Sequence, residues 1–268
     1  MNGFSGSKSI SILRIAQDGE ATELDDVVVV EHPMTIYVNH HEVATLMCTP
    51  TDLEDLVTGF LISEGLIRTF QAIKQISLSE ESYRADVQVG EDITMQLESY
   101  GRRTVTSGCG AVDRRPMRLL DSLRVRPLEP SAPVTAAQLL SAMRGLTAAP
   151  SLFSETGGTH SCALYRGEEQ VCIAEDVGRH NAADKVLGAM HRLAQPATAM
   201  ILVTTGRISS EIVIKAAVHR VPVVISRSAP TEFAVRIAQE AEILLAGFCR
   251  GRRCNVYAGS ERLIEGSI

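Results

Sequence analysis

A regular alternation of strand-like and helix-like segments in the second half of the chain constrains the fold more than any other sequence feature. A strand pair that turns at Gly167 is followed by three helical patterns, and apolar runs of strand length lie between them. The predicted strands are 161–165, 170–175, 199–203, 221–225 and 255–257, and the predicted helices are 181–193, 209–219 and 231–245. Such alternation is typical of a largely buried, partly parallel sheet with helices on its faces.

The first half of the chain predicts a smaller, mostly β domain. One helix is clear, because Thr51 and Glu54 have capping-box spacing and apolar residues then recur at helical intervals until Gly65. Residues 1–25 are polar and weakly patterned, and they predict an edge strand or a loose arm. The predicted strands are 34–39 and 43–47, which form a hairpin, followed by 84–89, 93–98 and 102–106.

A proline-rich segment separates these two regions. Arg126 to Pro133 contains three prolines in eight residues and cannot continue a helix or a central strand. The predicted organisation is a smaller N-terminal domain at 1–125, a linker at 126–134 and an α/β domain at 135–268. A capping box formed by Thr135 and Gln138 opens the second domain with a short helix that ends near Leu146. The fold class is α/β, or α+β for the whole chain.

Composition limits the possible partners. The chain has 268 residues, of which 45% are hydrophobic, so it can bury a sizeable core. Its formal net charge of -6 argues against a surface that binds nucleic acid throughout. Arginine is nevertheless concentrated twice, at positions 102, 103, 114, 115, 118, 124 and 126, and again at Arg250, Arg252 and Arg253. These clusters are either solvated faces or a site for a phosphorylated ligand.

The six cysteines are spread through the whole chain. The N-terminus has no signal-peptide segment and no apolar run approaches ~18 residues, so we expect a cytoplasmic protein without membrane contact. A disulfide framework is not expected. Because no CxxC pair is present, we expect no zinc site. Cys249 and Cys254 flank the second arginine cluster and are an alternative thiol site.

Cys109 is the strongest candidate for a reactive residue. It lies between Gly108 and Gly110, which let the backbone turn sharply, and arginines follow at 114, 115 and 118. Nearby guanidinium groups favour thiolate over thiol, as a nucleophilic or sulfur-carrying cysteine requires. The alternative is a small residue packed in a turn, since free cysteine is among the most buried residue types.

Several loops that follow predicted strands suggest an anion-binding site. In open α/β sheets ligands bind beyond the carboxyl ends of the strands, where helix N-termini attract anions. The candidate loops are 204–210, with Thr204, Thr205, Gly206 and Arg207; 226–228, with Ser226 and Arg227; and 175–181, with Arg179 and His180. For 175–181 the alternative is a helix cap with a surface ion pair, and His160 is either a hydrogen-bonded structural group or a partner of His180 and Asp176.

The chain resembles the formate dehydrogenase accessory sulfurtransferases, the FdhD/NarQ family. The most specific matching word is Glu-Asp-Val-Gly-Arg-His-Asn-Ala-Ala-Asp-Lys at 175–185. Further words are Thr-Gly-Gly-Thr-His at 156–160, Thr-Thr-Gly-Arg-Ile-Ser at 204–209, Ser-Arg-Ser-Ala-Pro-Thr at 226–231, Gly-Phe-Leu-Ile-Ser-Glu-Gly at 59–65 and Gly-Phe-Cys-Arg at 247–250. The similarity therefore spans nearly the whole chain.

This resemblance implies a sulfur carrier. A cysteine desulfurase would load a persulfide on Cys109, which passes sulfur to the bis-guanine-dinucleotide molybdenum cofactor before its insertion into formate dehydrogenase. It also implies a homodimer whose larger domain resembles the cytidine deaminase fold without zinc. GDP would mimic the cofactor. The residues expected at the cofactor are Arg179, His180, Thr204, Thr205, Gly206, Arg207, Ser226, Arg227, Phe248, Cys249, Arg250, Gly251, Arg252 and Arg253.

One departure from the family pattern leaves alternatives open. Family members often carry CxxC at the active loop, but Val112 stands where the second cysteine would be. One sulfur nucleophile suffices for persulfide transfer, so the carrier prediction stands, and a chaperone that binds the molybdenum cofactor without moving sulfur is the alternative. A deaminase-like hydrolase is disfavoured, because His40-x-Glu42 matches half of its zinc motif but the P-C-x-x-C half is missing.

Overall fold

The computed structural model describes residues 5–100, 103–105, 127–128, 133–149 and 151–264. The strands are β1 (Ser7–Ile15), β2 (Ala21–Val29), β3 (His32–Val38), β4 (His41–Cys48), β5 (Ile73–Ser79), β6 (Arg84–Val89), β7 (Arg103–Val105), β8 (Val134–Thr135), β9 (His160–Arg166), β10 (Glu169–Asp176), β11 (Met200–Thr204), β12 (Val223–Ser226), β13 (Leu244–Arg250), β14 (Arg253–Ala258) and β15 (Leu263–Ile264). The helices are α1 (Leu53–Ser63), α2 (Thr94–Tyr100), α3 (Ala136–Ala148), α4 (Leu152–Thr156), α5 (Arg179–Arg192), α6 (Ser210–Val218) and α7 (Glu232–Glu240).

The larger sheet has six strands in the order β10-β9-β11-β12-β13-β14. β11, β12 and β13 are parallel at its centre, and the flanking strands are antiparallel to their neighbours. Helices α5, α6 and α7 cover one face, where Leu202 and Val224 are fully buried among them. Helix α3 covers the other face and packs on Ile201 and Val203. The predicted partly parallel sheet with helices on both faces is confirmed, while its likeness to the cytidine deaminase fold stays a prediction.

One central strand of this sheet was hidden in the sequence. The helix predicted over 231–245 is wrong at its end, because α7 stops at Glu240 and β13 begins at Leu244. Glu242 adopts the left-handed conformation with a φ of 55°, which turns the chain out of the helix. Ile243 to Ala246 are fully buried. An apolar run that directly follows an amphipathic helix continues its hydrophobic pattern, so periodicity alone cannot separate the two.

The smaller sheet has five strands in the order β5-β6-β3-β4-β7, and α1 packs on it. The predicted hairpin is confirmed: Asn39 and His40 form the turn between β3 and β4 with φ values of 47° and 70°, as a type I′ turn requires. The strand predicted at 93–98 is wrong, since α2 occupies it and Asp92 Oδ1 accepts hydrogen bonds from the N–H and hydroxyl of Thr94. Strand β5 was missed.

The N-terminal segment forms more strand pairing than the sequence predicts. β1 and β2 form a two-stranded antiparallel ribbon of nine residue pairs. Ile15 and Leu13 are 70% and 57% exposed on it, so the ribbon contributes little to either core. The weak pattern of residues 1–25 reflects this exposure, because no face of the ribbon is buried consistently.

The two helix starts with capping-box spacing differ. At α3 the box is present, since Thr135 and Gln138 exchange side-chain and backbone hydrogen bonds. At α1 the predicted box is wrong: Asp52 is the N-cap residue in a left-handed conformation, and no side-chain capping bond forms. The Thr51 hydroxyl instead accepts a hydrogen bond from the ammonium group of Lys185, 3.2 Å away. The Thr51 hydroxyl, which the local spacing predicted to cap the helix, therefore binds a residue that is distant in sequence.

A close contact between α1 and α5 joins the two parts of the molecule. A Cβ atom on Gly59 would lie 1.9 Å from the carbonyl oxygen of Asp184, and one on Gly188 would lie 1.9 Å from that of Asp55. Both positions therefore require glycine. The domain boundary at 126–134 stays a prediction. Of that segment, Leu128 is buried in the core of the larger sheet, and its N–H donates to the carbonyl of Ala241.

In the described part of the chain, no helix is both long enough and apolar enough to cross a membrane.

Candidate functional site at the edge of the larger sheet

The candidate site lies at one edge of the larger sheet, namely the edge formed by the ends of its strands. β10, β11, β12 and β13 all end there, and β9 begins there because it runs antiparallel to β11. This topology brings together the three candidate loops of the sequence analysis and the segment that carries His160. We call the segments 157–161, 175–181, 204–210 and 226–231 the loop cluster.

Hydrogen bonds hold the members of the loop cluster to each other. The N–H of Thr205 donates to the carbonyl of Ser161, and the N–H of Ser161 donates to the hydroxyl of Thr205. The Ser226 hydroxyl donates to the carbonyl of Gly206 over 2.6 Å. The N–H of Arg227 donates to the carbonyl of Thr204. These bonds connect the backbones of the loops to one another.

Because residue 206 is a glycine, the side chains of Arg179 and His160 can approach the loop closely. A Cβ atom there would lie 3.0 Å from Cβ of Arg179 and 3.5 Å from Nδ1 of His160. Burial lowers the pKa of His160, and the positive charges of Arg179, His180 and Arg207 lower it further. His160 is therefore neutral at pH 7 and can donate or accept a hydrogen bond.

His180 is held by the start of α6. Its Nε2 atom lies 2.8 Å from Oε2 of Glu211 and 3.2 Å from Oγ of Ser209. The hydrogen bond from His180 lowers the pKa of Glu211. A serine hydrolase relay uses both ring nitrogens, one toward the serine and one toward the acid. Because both contacts here use Nε2, this trio is a positioning contact and not a nucleophilic relay.

A groove beside the loop cluster collects arginines. It has a volume of about 220 Å³ and lies between α3 and the ends of β12 and β13. We call it the arginine groove, and its walls include Leu140, Met143, Arg144, Arg227, Cys249 and Arg250. Arg250 Nε donates to the carbonyl of Arg227 over 3.1 Å. Neither arginine forms an ion pair with a carboxylate among the described residues, so their charges face solvent.

Phe248 lies near the groove. It is 39% exposed, and the guanidinium carbon of Arg250 lies 6.0 Å from its ring centroid. An exposed aromatic ring next to arginines can stack on a planar base. Arg252 and Arg253, at the turn between β13 and β14, are exposed.

A buried ion pair lies behind the loop cluster. Lys185 and Asp176 are both fully buried and 2.8 Å apart. The Lys185 ammonium group also donates to the carbonyls of Thr49 and Glu175. Burial raises the pKa of Asp176, and Lys185 opposes that rise. The 175–181 loop therefore has an ion pair in the interior, and its contact at the surface is the one between His180 and Glu211. The helix cap considered there has no side-chain hydrogen bond, since Gly178 is the N-cap residue.

A second buried network connects α1, α5 and α6. Lys215 Nζ lies 2.8 Å from Oδ2 of Asp184, whose other oxygen accepts from the Ser63 hydroxyl. Ser63 also contacts His219 Nε2, and His219 Nδ1 lies 2.9 Å from Nε2 of His191. Burial acts to lower the pKa of Lys215, but the negative charges of Asp184 and Glu64 outweigh it and raise that pKa.

The structure brings the predicted cofactor residues together in two adjoining groups. Arg179, His180 and the residues of 204–207 lie in the loop cluster, together with Ser226 and Arg227. Phe248 to Arg253 lie at the end of β13, where Cys249 is fully buried. Cys109, Val112 and the arginine cluster at 102–126 lie outside the described residues, apart from the backbone of Arg103.

Sequence reasoning missed several residues of the site. Arg144 lies on α3, far along the chain from the loops, and no local pattern marks it. Glu211 and Ser161 were also missed, although both flank segments that were selected. Lys185 had one signal: it ends the specific word at 175–185. Within the described ranges, no group of three or more His, Cys, Asp or Glu residues could hold a metal ion.

Fold and site together define an α/β protein with an arginine-rich, hydroxyl-rich edge suited to anionic ligands. The FdhD/NarQ family matches residues 29–264, and the chain belongs to that family. It is 38% identical to the sulfur carrier protein FdhD of Bacillus licheniformis over 92% of this chain and 93% of that protein. The corresponding protein of Staphylococcus haemolyticus is 37% identical over 94% of this chain and 95% of its own length.

A solved structure is similar throughout. It is the crystal structure of a protein from Desulfotalea psychrophila described as a formate dehydrogenase accessory protein. The TM-score is 0.79 at 26% identity, and the superposition covers 97% of this chain and all of the other.

Proposed function

We propose that this protein is a sulfur carrier in the maturation of formate dehydrogenase. Its family membership and the names of its relatives support this role. In detail, a cysteine desulfurase loads sulfur onto the protein, and the protein passes that sulfur to a bis-guanine-dinucleotide molybdenum cofactor before formate dehydrogenase receives it. The protein works in the cytoplasm as a homodimer, and it is an enzyme only in the sense of a sulfurtransferase.

The observation that carries the proposal is the convergence of arginines and loop hydroxyls at one sheet edge. Arg227 and Arg250 line the arginine groove, and Arg179 and Arg207 belong to the adjoining loop cluster. Guanidinium groups bind phosphate oxygens in bidentate geometry, which lysine does not reproduce. A guanine dinucleotide offers two phosphates and a planar base, and Phe248 is exposed beside the groove for the base.

Cys109 is the proposed persulfide carrier. Its glycine neighbours and the arginines that follow it are the sequence features of an accessible, low-pKa thiol. Three other thiols are less suited to take sulfur from a large partner, because burial raises the pKa of Cys48 to about 12, of Cys162 to about 12 and of Cys172 to about 11.

The test is sulfur loading by a cysteine desulfurase. Purified protein is incubated with the desulfurase and cysteine, and protein-bound sulfane sulfur is measured by cyanolysis. We expect Cys109→Ser to abolish loading and activation of formate dehydrogenase, while Cys172→Ser leaves both unchanged. Undiminished loading of the Cys109→Ser protein would overturn the assignment.

A cofactor chaperone is the second candidate, because Val112 leaves Cys109 without a neighbouring thiol. A pure chaperone would bind GDP at the arginine groove and acquire no sulfane sulfur. Calorimetry with GDP and cyanolysis on the same preparation therefore separate the two functions. Soaking crystals with GDP would place the nucleotide directly.

A further inference from the structure

Two cysteines with no part in the proposed loading step lie side by side at the arginine groove. β13 and β14 are antiparallel, with Gly247 opposite Asn255 and Arg250 opposite Arg253. Two residues of β13, Phe248 and Cys249, therefore face the single residue Cys254 of β14, which is a β-bulge.

The bulge decides which residue faces Cys254. Phe248 adopts a φ of 51°, donates its N–H to the carbonyl of Ser228 and is exposed. Cys249 is fully buried in the core under α3, and Cys254 packs against that core. The side chains directly opposite in an antiparallel pair are close neighbours, so Cys249 and Cys254 are the facing pair.

The two thiols are not equivalent. Cys249 is buried and forms part of the wall of the arginine groove, whereas Cys254 lies on the edge strand and is partly buried. A hydrogen bond from the Cys249 thiol lowers the pKa of Cys254 to about 7. The same bond, together with burial, raises the pKa of Cys249. An accessible thiolate backed by a buried thiol is the arrangement of a dithiol that attacks with one sulfur and resolves with the other.

We propose that Cys254 and Cys249 form a dithiol site whose substrate is a persulfide, with Cys254 as the attacking thiol and Cys249 as the resolving thiol. The site reduces sulfane sulfur to hydrogen sulfide and closes to a disulfide. That the persulfide comes from Cys109 rests on the proposed sulfur-carrier function. The chemistry of the dithiol itself does not depend on it.

The reaction balances in two steps. The Cys254 thiolate attacks the outer sulfur of a persulfide R–S–SH; the S–S bond of the donor breaks, R–S⁻ leaves, and Cys254 carries the persulfide without net oxidation. The Cys249 thiol then loses its proton and attacks Sγ of Cys254. The terminal sulfur leaves as HS⁻, which takes up that proton as hydrogen sulfide. The two thiols lose two electrons, and the sulfane sulfur gains them.

The sequence adds a reason for such a site, because Val112 leaves Cys109 without an adjacent thiol to supply electrons.

The experiment uses the full chain with Cys109→Ser, anaerobically, with glutathione persulfide as the donor. We expect release of about one hydrogen sulfide per chain and a Cys249–Cys254 disulfide in peptide mapping. Adding Cys249→Ser should retain the sulfur on Cys254 as a persulfide detected by cyanolysis, and sulfide release should fall about tenfold. Adding Cys254→Ser to the Cys109→Ser protein instead should abolish both the sulfide release and the bound persulfide. Cys172→Ser in the same background is the matched control and should change neither the sulfide release nor the disulfide.

Undiminished sulfide release in the Cys254→Ser protein, or a disulfide between other residues, would overturn the proposal. If the serine variants do not fold, alkylation of the unaltered protein with iodoacetamide at pH 7 decides, since Cys254 should react before Cys249 and the reverse order contradicts the assignment. Because the donor is a small molecule and Cys109 is absent, failure here is distinct from failure of desulfurase loading, which is measured on the unaltered chain.

Discussion

Charged side chains on the two sides of the loop cluster differ in whether they have a partner of opposite charge. In the interior, Lys185 is paired with Asp176 and donates to a backbone carbonyl, and Lys215 is paired with Asp184. At the sheet edge, Arg227 and Arg250 line a groove and have no carboxylate partner among the described residues. Each interior charge has a partner of opposite charge within the chain. The charges of Arg227 and Arg250 are instead available to an anionic ligand.

This difference separates structural charges from functional ones. A buried charge must be paired, because removing it from water costs several kcal/mol. An exposed arginine has no such requirement, so a cluster of them is explained better by an anionic ligand than by stability. The interior set should therefore govern unfolding and the edge set should govern binding.

Replacing the buried lysine should have the largest effect. Lys185→Met leaves Asp176 buried without its partner, and we expect a loss of about 3–5 kcal/mol in the free energy of unfolding. Denaturant titration measures this loss. Arg84→Met, which breaks the exposed pair with Asp86, is the matched control and should cost less than about 1 kcal/mol. Equal losses in the two variants would refute the distinction between buried and exposed pairs.

The close helix contact should be the next most sensitive position. Gly59→Ala places a Cβ atom against the carbonyl of Asp184, so α1 and α5 must separate, and we expect a cost of about 3 kcal/mol in unfolding free energy. Thermal unfolding monitored by circular dichroism measures it. Gly90→Ala meets only the flexible end of Lys74, and its melting temperature should stay close to that of the unaltered protein. A fully stable Gly59→Ala protein would show that the contact is looser than described.

The arginine groove should respond in binding and not in stability. Arg227→Ala or Arg250→Ala should each weaken GDP binding by about 1.5–3 kcal/mol if the guanidinium contacts a phosphate, with unchanged unfolding. Isothermal calorimetry measures the affinity. Arg236→Ala, on the exposed face of α7, is the control and should bind GDP normally. Unchanged affinity in the Arg227→Ala/Arg250→Ala double variant would place the nucleotide elsewhere.

Acid should weaken the interior network gradually. Burial holds the pKa of His219 well below 6.5 in the folded protein, so its ring stays neutral, whereas in the unfolded chain it takes up a proton below that pH. The stabilisation is therefore complete above pH 6.5 and falls by about 1.4 kcal/mol per pH unit below it. Denaturant titrations between pH 7 and pH 5 measure the slope, and His219→Gln should reduce it. An identical slope in both proteins would exclude His219 as the cause.

Most of the fold could be predicted, and the errors have physical causes. The apolar runs of β11 and β12 and the capping box of α3 are local signals, so they were placed within a few residues. β13 was missed because its apolar run continues the pattern of α7. The strand predicted at 93–98 is a helix whose first residue, Thr94, donates its N–H and hydroxyl to Oδ1 of Asp92. Alternation over six residues was too short to exclude this.

In the candidate site, too, residues marked by a local signal were predicted, and residues brought in by tertiary packing were not. The loops at 204–210 and 226–228 were identified because glycine, hydroxyls and arginine directly follow apolar strands. Arg144 was missed because it reaches the groove from another element. The buried pairing of Asp176 was not predicted, because its partner Lys185 and the surrounding carbonyl of Thr49 come together only when α5 packs on the N-terminal half.

The sequence alone determined which segments could form strands, helices and anion-binding loops, because periodicity, capping residues and turn glycines act over a few positions. It also determined the family, through words that keep their residue types together. Only the tertiary structure decided which charges are paired, which thiols face each other and which arginines share a groove. Those outcomes depend on strand order and helix packing, which bring together residues as far apart as Thr49 and Lys185, and no local pattern encodes that distance.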